Sequence, residues 1–269
     1  MTIAIILPSF IIASLFLFKK RFYVYEEDTL SLSFIKTDIL RAAAILMVIL
    51  MHTSCAAGAR IFTPLGGTGV AIFLILSGYG LSLSEVKKGI DSFWKNKIVR
   101  IFIPYSIFIL ISLLISGNYG KIFTIDFILD ILCLKSSYWY VSFLIYNYAL
   151  FWLCNYKKTP IKIKYSIFLL FGLALLLFDY RIRAEQALSF PTGMLLADFK
   201  NIRNKLNLKN QYITYLFIFS FFLLLLKQIP YLRSIYINHR ILINISELFM
   251  KYGFALYFIT IINTTPPVR

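Results

Sequence analysis

The sequence predicts an all-α membrane protein, a polytopic bundle of about nine to ten transmembrane helices, and three observations predict it. Of its 269 residues, 59% are apolar and only 15% are charged, where an average soluble domain carries about a quarter charged. The mean hydropathy is +0.78. The apolar residues come in long runs, and Lys and Arg stand in short clusters between those runs. Water cannot host so much apolar surface, so most of it must face lipid or other helices. The net charge of +16 would suit a nucleic-acid partner only if the cations shared one folded polar face. Punctuating apolar runs instead, they have the membrane pattern, and nucleic acid is excluded as a partner.

The first apolar run covers 2–18. No basic residue precedes it, and Lys19, Lys20 and Arg21 follow. That charge order is the reverse of a cleavable signal peptide, so the run reads as a retained helix with its N-terminus outside. With its following loop it makes residues 1–35 an extra N-terminal helix and cytoplasmic loop ahead of the rest. Further spans are expected over 37–57, 65–84, 98–116, 138–154, 165–178, 187–199, 212–226 and 241–263, against the ~20 residues that cross a hydrocarbon core. In 122–134, Asp126 and Asp130 stand one turn apart and make the segment amphipathic. It is expected to lie in the interface rather than to cross. With that choice the predicted cytoplasmic loops hold seventeen Lys and Arg and the outer loops eight. Letting 122–134 cross would move Lys157, Lys158, Lys162 and Lys164 outside and erase the bias, so nine spans with the C-terminus inside are favoured. No internal repeat or Gly/Ser linker divides residues 1–269, which read as a single transmembrane domain. Cys55, Cys133 and Cys154 are odd in number and lack metal-ligand spacing, so neither a disulfide framework nor a metal site is expected.

Ionisable residues inside a span are costly and are functional candidates by default. The span KTDILRAAAILMVILMHTS contains Asp38, Arg41 and His52. Eleven residues at about 100° and 1.5 Å each place Arg41 and His52 on one helix face, roughly 16 Å apart along the axis. On the topology above, a fixed cation sits near the cytoplasmic end and a titratable imidazole in the outer half. Arg41 alone also fits a side chain snorkelling to lipid phosphates, and His52 alone a packing residue. The next span, GGTGVAIFLILSGYGLS, carries Gly66, Gly67, Gly69, Gly78 and Gly80, which allow close helix approach or border a channel, and Ser77 as a hydrogen bonder. Lys97 and Arg100 follow just before Pro104, as ordinary positive-inside residues or as phosphate contacts to a cytoplasmic donor.

Together these segments resemble acyltransferase family 3, integral membrane O-acyltransferases of bacterial envelope glycans. The family's first core helix has an acidic residue, then Arg, ten residues, then His, similar to Asp38, Arg41 and His52. Its glycine-rich second helix resembles Gly69-Val70, Phe73 and Ser77-Gly78, and its basic pair before Pro resembles Lys97, Arg100 and Pro104. Its Trp-aromatic segment is similar to YWYVSFLIYNY, residues 138–148, which contains Trp139. Two positions depart: Leu144 stands where the family often has Glu, and Thr260 where it often has His. The resemblance implies transfer of an acyl group, usually acetyl, from cytoplasmic acyl-CoA (acetyl-CoA) to a hydroxyl of an envelope polysaccharide or lipid-linked sugar. It implies the inner (plasma) membrane as location. Arg41, with Lys97, Arg100 and Ser77, would bind the donor, and Asp38, Gly69, Gly78 and Trp139 would support the site. His52 would be the general base on the acceptor hydroxyl or a transient acyl carrier. A lipid-linked glycan flippase and a catalytically inactive scaffold are the alternatives; the repeat symmetry and paired broken helices of a transporter are not visible.

Overall fold

The computed structural model describes residues 32–59, 62–117, 119–120, 124–133, 138–178, 181–204, 210–229, 231 and 239–264. Among them every regular element is helical. The helices are α1 (Phe34–Ala56), α2 (Thr63–Lys88), α3 (Phe93–Ser116), α4 (Ile125–Ile131), α5 (Trp139–Tyr156), α6 (Ile161–Leu177), α7 (Arg181–Ala184), α8 (Ser189–Asp198), α9 (Lys200–Arg203), α10 (Gln211–Leu226) and α11 (Arg240–Thr264). Four of them, α1, α2, α3 and α11, are long and apolar enough to cross a membrane. The runs expected at 138–154, 165–178, 187–199 and 212–226 are helical over 18, 17, 10 and 16 residues. The run 2–18 lies outside the described residues.

Local chemistry sets the helix ends. Ser33 caps α1 by accepting from the Lys36 backbone N–H, and Pro64 sits in the first turn of α2, where its missing N–H costs nothing. Lys87 and Lys88 close α2, favourable charges at a helix C-terminus. Gly117 ends α3 in the left-handed conformation, φ 68°. Inside α3 the residues Ile98–Phe102 wind as a π-helix, with the Ile103 N–H reaching the Ile98 carbonyl. Pro104 follows directly and cannot donate to the carbonyl of Arg100, so the ladder loosens at that turn.

Tertiary contacts gather the chain into two compact units: residues through Leu83 together with those from Phe171, and Ser84–Leu170. In the first unit, α2 and α11 carry the buried core and α1 lies at its edge. Phe217 of α10 stacks on Tyr257 of α11 with centroids 4.0 Å apart. Small residues let backbones meet: a Cβ on Gly69 would stand 2.7 Å from the Ala44 carbonyl oxygen of α1, and one on Gly78 would run into the Phe190 carbonyl of α8. Lys36 Nζ donates to the Asn263 carbonyl and ties the start of α1 to the end of α11, so these helices run antiparallel.

In the second unit α3 packs on α5 through aromatic rings. Phe93 stacks on Phe151 at 6.1 Å and meets Tyr148 edge-on at 6.2 Å, and Trp94 meets Trp152 at 6.0 Å. The segment expected to lie flat forms α4, seven residues long. Thr124 caps it, and Tyr105 of α3 donates a hydrogen bond to Asp130. Both α1 and α3 leave Leu, Ile and Phe side chains exposed along most of their length, among them Ile45, Leu46, Ile49 and Leu50, and Ile107, Phe108, Ile111 and Leu114. A helix that is apolar on its uncovered side fits lipid rather than water.

Candidate active site

α1 is continuous from Arg41 to His52, so the two side chains leave the helix in nearly the same direction, about 16 Å apart along the axis. The buried stripe of α1 runs through Thr37, Leu40 and Ala44 to Met51, which packs against Gly66 of α2. Arg41 and His52 lie on its flank, roughly a quarter turn from that stripe at about 100° per residue. Both are exposed among the described residues. Arg41 Nη1 donates to Asp38 Oδ1 at 2.7 Å, one turn below, with nearly half of each side chain exposed. Asp38 therefore pairs with its own helix neighbour. The bond orients the guanidinium and engages one of its five N–H donors.

α2 runs antiparallel to α1 and supplies the glycine face. Gly69 is pressed against Ala44, Met47 and Val48, and Gly78 against α8. Their tight packing is structural, holding α1 and α8 close. Ser77, half-buried, lies one residue before Gly78.

Lys97, Arg100 and Trp139 belong to the second unit, whereas Asp38, Arg41, His52, Gly69, Ser77 and Gly78 belong to the first. Lys97 sits over the Tyr148 ring, 4.6 Å from its centroid, and over Phe93 at 5.2 Å. Arg100 lies in the π-helical turn and is exposed, while Trp139 starts α5 and packs edge-on to Tyr140. The two departing positions are both buried: Leu144, and Thr260, which returns its hydroxyl to the Leu256 carbonyl at 2.8 Å.

A family model described as an acyltransferase domain matches residues 34–263. The chain belongs to acyltransferase family 3. It is an integral membrane acyltransferase, and the matched segment opens on the first residue of α1 and reaches the last turn of α11. Neither a curated protein nor a solved structure matches the chain. Every candidate residue named above falls inside the acyltransferase domain.

Sequence reading missed a buried ionic set within that domain. Lys251, midway along α11, pairs with Glu185 in the turn after α7 and, at 3.3 Å, with Glu247 one turn before it. The other oxygen of Glu247 pairs with Lys227 at the end of α10. Glu185, Glu247 and Lys251 are all buried. Gln186 donates to the Gly67 carbonyl at 3.0 Å, and Thr192 meets Tyr252 at 3.0 Å. The sequence signal was Glu247 and Lys251, four apart inside an otherwise apolar run.

Proposed function

We propose that this acyltransferase moves an acyl group, acetyl in the simplest case, from cytoplasmic acyl-CoA to a hydroxyl of an envelope polysaccharide or lipid-linked sugar. The observation that carries the reading is the Arg41–His52 flank of α1, a cation and an imidazole displaced by about 16 Å along one membrane-length helix. That displacement suits a reaction whose donor and acceptor reach the site from opposite faces.

In this scheme the protein crosses the plasma (inner) membrane nine times, with the N-terminus outside and the C-terminus inside, as the distribution of Lys and Arg favours. Arg41, held by Asp38 but with four N–H groups to spare, binds the anionic part of the donor by charge-assisted bonds. Ser77 adds to donor binding, and Gly69 and Gly78 support the surrounding packing. His52 takes the proton of the acceptor hydroxyl as its oxygen attacks the thioester carbonyl. The C–S bond breaks, the C–O ester forms, and the proton ends on the thiol of CoA. In the alternative order, the acyl group rests on His52 before it passes to the sugar.

The test is mass spectrometry of envelope glycans from cells making the wild-type chain, His52→Ala, or none. Wild-type glycans should carry one acyl group more per modified sugar than those of the null strain. His52→Ala, inserted at wild-type level, should match the null. Acyl content retained in His52→Ala removes the imidazole from the reaction, and equal glycans in wild type and null favour a flippase or an inactive scaffold.

A further inference from the structure

We propose that Lys251, with Glu185 and Glu247, is a positioning clamp that sets the outer end of α2 and, through it, the His52-bearing turn of α1. The role in catalysis rests on the acyltransferase reading above; the clamp itself rests on contacts alone.

Three observations converge on the first turns of α2. The aliphatic stem of Lys251 occupies the space that a side chain on Gly67 would need, with Cδ, Cε and Cγ all against that position. The ammonium at its end is held by Glu185, and the next residue, Gln186, donates to the Gly67 carbonyl at 3.0 Å. Gly67 is thus gripped on its Cα side and at its carbonyl by neighbouring groups of one ionic assembly. On the adjoining face, about 100° round the helix, a Cβ on Gly66 would stand 2.7 Å from Cβ and Cγ of Met51. Met51 is the residue before His52. A continuous line of contact therefore runs from Lys251 through Gly67 and Gly66 to the turn that carries the imidazole. Cys55 Sγ lies 3.9 Å from Thr63 Oγ1, which places the end of α1 beside the start of α2.

Apolar side chains of similar volume hold helices together as well as a buried ion pair, and often better. What two carboxylates and two ammoniums add is a single register, because these charges pair when α10, α11 and the turn at Glu185 are aligned, and α2 is held to that register by the Lys251 stem and Gln186 at Gly67. A half-ångström error at a catalytic group is enough to slow a positioned reaction. Lys251 acts through Met51 and is a positioning residue; it need not touch substrate.

Two readouts test the clamp. The first is steady-state acyl transfer by purified Lys251→Met and Gly67→Ala, normalised to folded protein. Gly67→Ala keeps every charge and displaces only the Lys251 stem, so it still reports if Lys251→Met folds poorly. Each is expected to lower kcat at least tenfold with KM for acyl-CoA within twofold. A double Gly67→Ala, Lys251→Ala variant should be no worse than Lys251→Ala alone. A lower yield with unchanged kcat per folded molecule would make the network purely structural and overturn the proposal. The second readout needs no activity. In a Thr63→Cys background, oxidation should join the new thiol to Cys55, read as loss of maleimide-reactive thiols. Adding Lys251→Met should cut that cross-linking at least threefold; equal cross-linking rejects the clamp. Should the wild type transfer no acyl group, the function above fails, and cross-linking alone decides the clamp.

Discussion

Gly78→Ala tests whether a helix crossing is set by backbone contact. Here α2 and α8 meet main chain to main chain. A Cβ on Gly78 would collide with the Phe190 carbonyl oxygen and stand 3.1 Å from the Met194 nitrogen; one on Gly193 would collide with the Ile75 carbonyl oxygen and stand 2.8 Å from the Tyr79 nitrogen. Carbon atoms pack at about 3.5–4.0 Å, so a methyl at either site drives the helices apart by roughly 1 Å. A gap of that size forfeits a quarter to a half of each facing contact, and overfilling a packed site costs ~1–3 kcal/mol. Replacing a helical Gly by Ala returns about 0.5–1 kcal/mol of backbone entropy, leaving a net loss that spans about 0–2.5 kcal/mol and centres on about 1 kcal/mol. Gly80, two residues further, has nothing within 4 Å of its Cβ position. Gly80→Ala should therefore show the entropic gain alone. Unfolding of the detergent-solubilised protein, followed by heat or by denaturant, should move in opposite directions for the two variants. Because Gly78 and Gly193 serve one crossing, the first alanine already opens it, and Gly78→Ala with Gly193→Ala should cost less than the two single losses together. Equal stability of Gly78→Ala and Gly80→Ala, or strict additivity of the pair, refutes the backbone-contact argument.

Two further outcomes concern residues of the first unit. On the proposed reading, Arg41→Ala removes a charge-assisted donor contact worth ~1.5–3 kcal/mol and should raise KM for acyl-CoA roughly ten- to a hundredfold. KM for the acceptor should stay within twofold; a normal donor KM would leave Arg41 as a lipid-phosphate anchor. Gly253→Ala places a methyl against Ser220 Oγ and 3.1 Å from the Leu216 carbonyl, where α10 and α11 touch, and should destabilise by ~1–3 kcal/mol in the same unfolding assay. Ser220→Ala clears that methyl while giving up the bond from Ser220 to the Phe249 carbonyl, so the double variant should lie above the sum of the two.

Periodic and local features were legible in the sequence. Apolar runs bounded by Lys and Arg located α1, α2, α3 and α11, because covering a hydrocarbon core demands a long uninterrupted stretch. The amphipathic spacing of Asp126 and Asp130 marked a helix in their segment, and α4 forms there over Ile125–Ile131. Asp38 and Arg41 pair within one helix, three residues apart, so helix geometry alone brings them together. The short helices α7 and α9 were not foreseen, since four residues leave no periodicity to read. The π-helical turn at Ile98–Phe102 had a visible cause in Pro104, which stands inside the expected span 98–116.

Long-range partners were the illegible part, and the ionic set shows why. Glu185 stood at the edge of an expected outer loop and Lys227 among the outer-loop cations, positions where charge is ordinary. Only Glu247 and Lys251, inside a span, violated the expected pattern, and their spacing offered a complete local explanation as an exposed i,i+4 pair. The fold uses them otherwise: Lys251 reaches across 66 residues to Glu185, and Gln186 across 119 to the Gly67 carbonyl. Gly67 misled for the complementary reason. A glycine near a helix start suggests close helix packing, yet here the absent side chain makes room for the stem of a lysine. An intramembrane charge beside an unexplained glycine on another span is therefore the one-dimensional trace of such a contact. The charge needs a buried partner, and its stem needs a path through the packing to reach one.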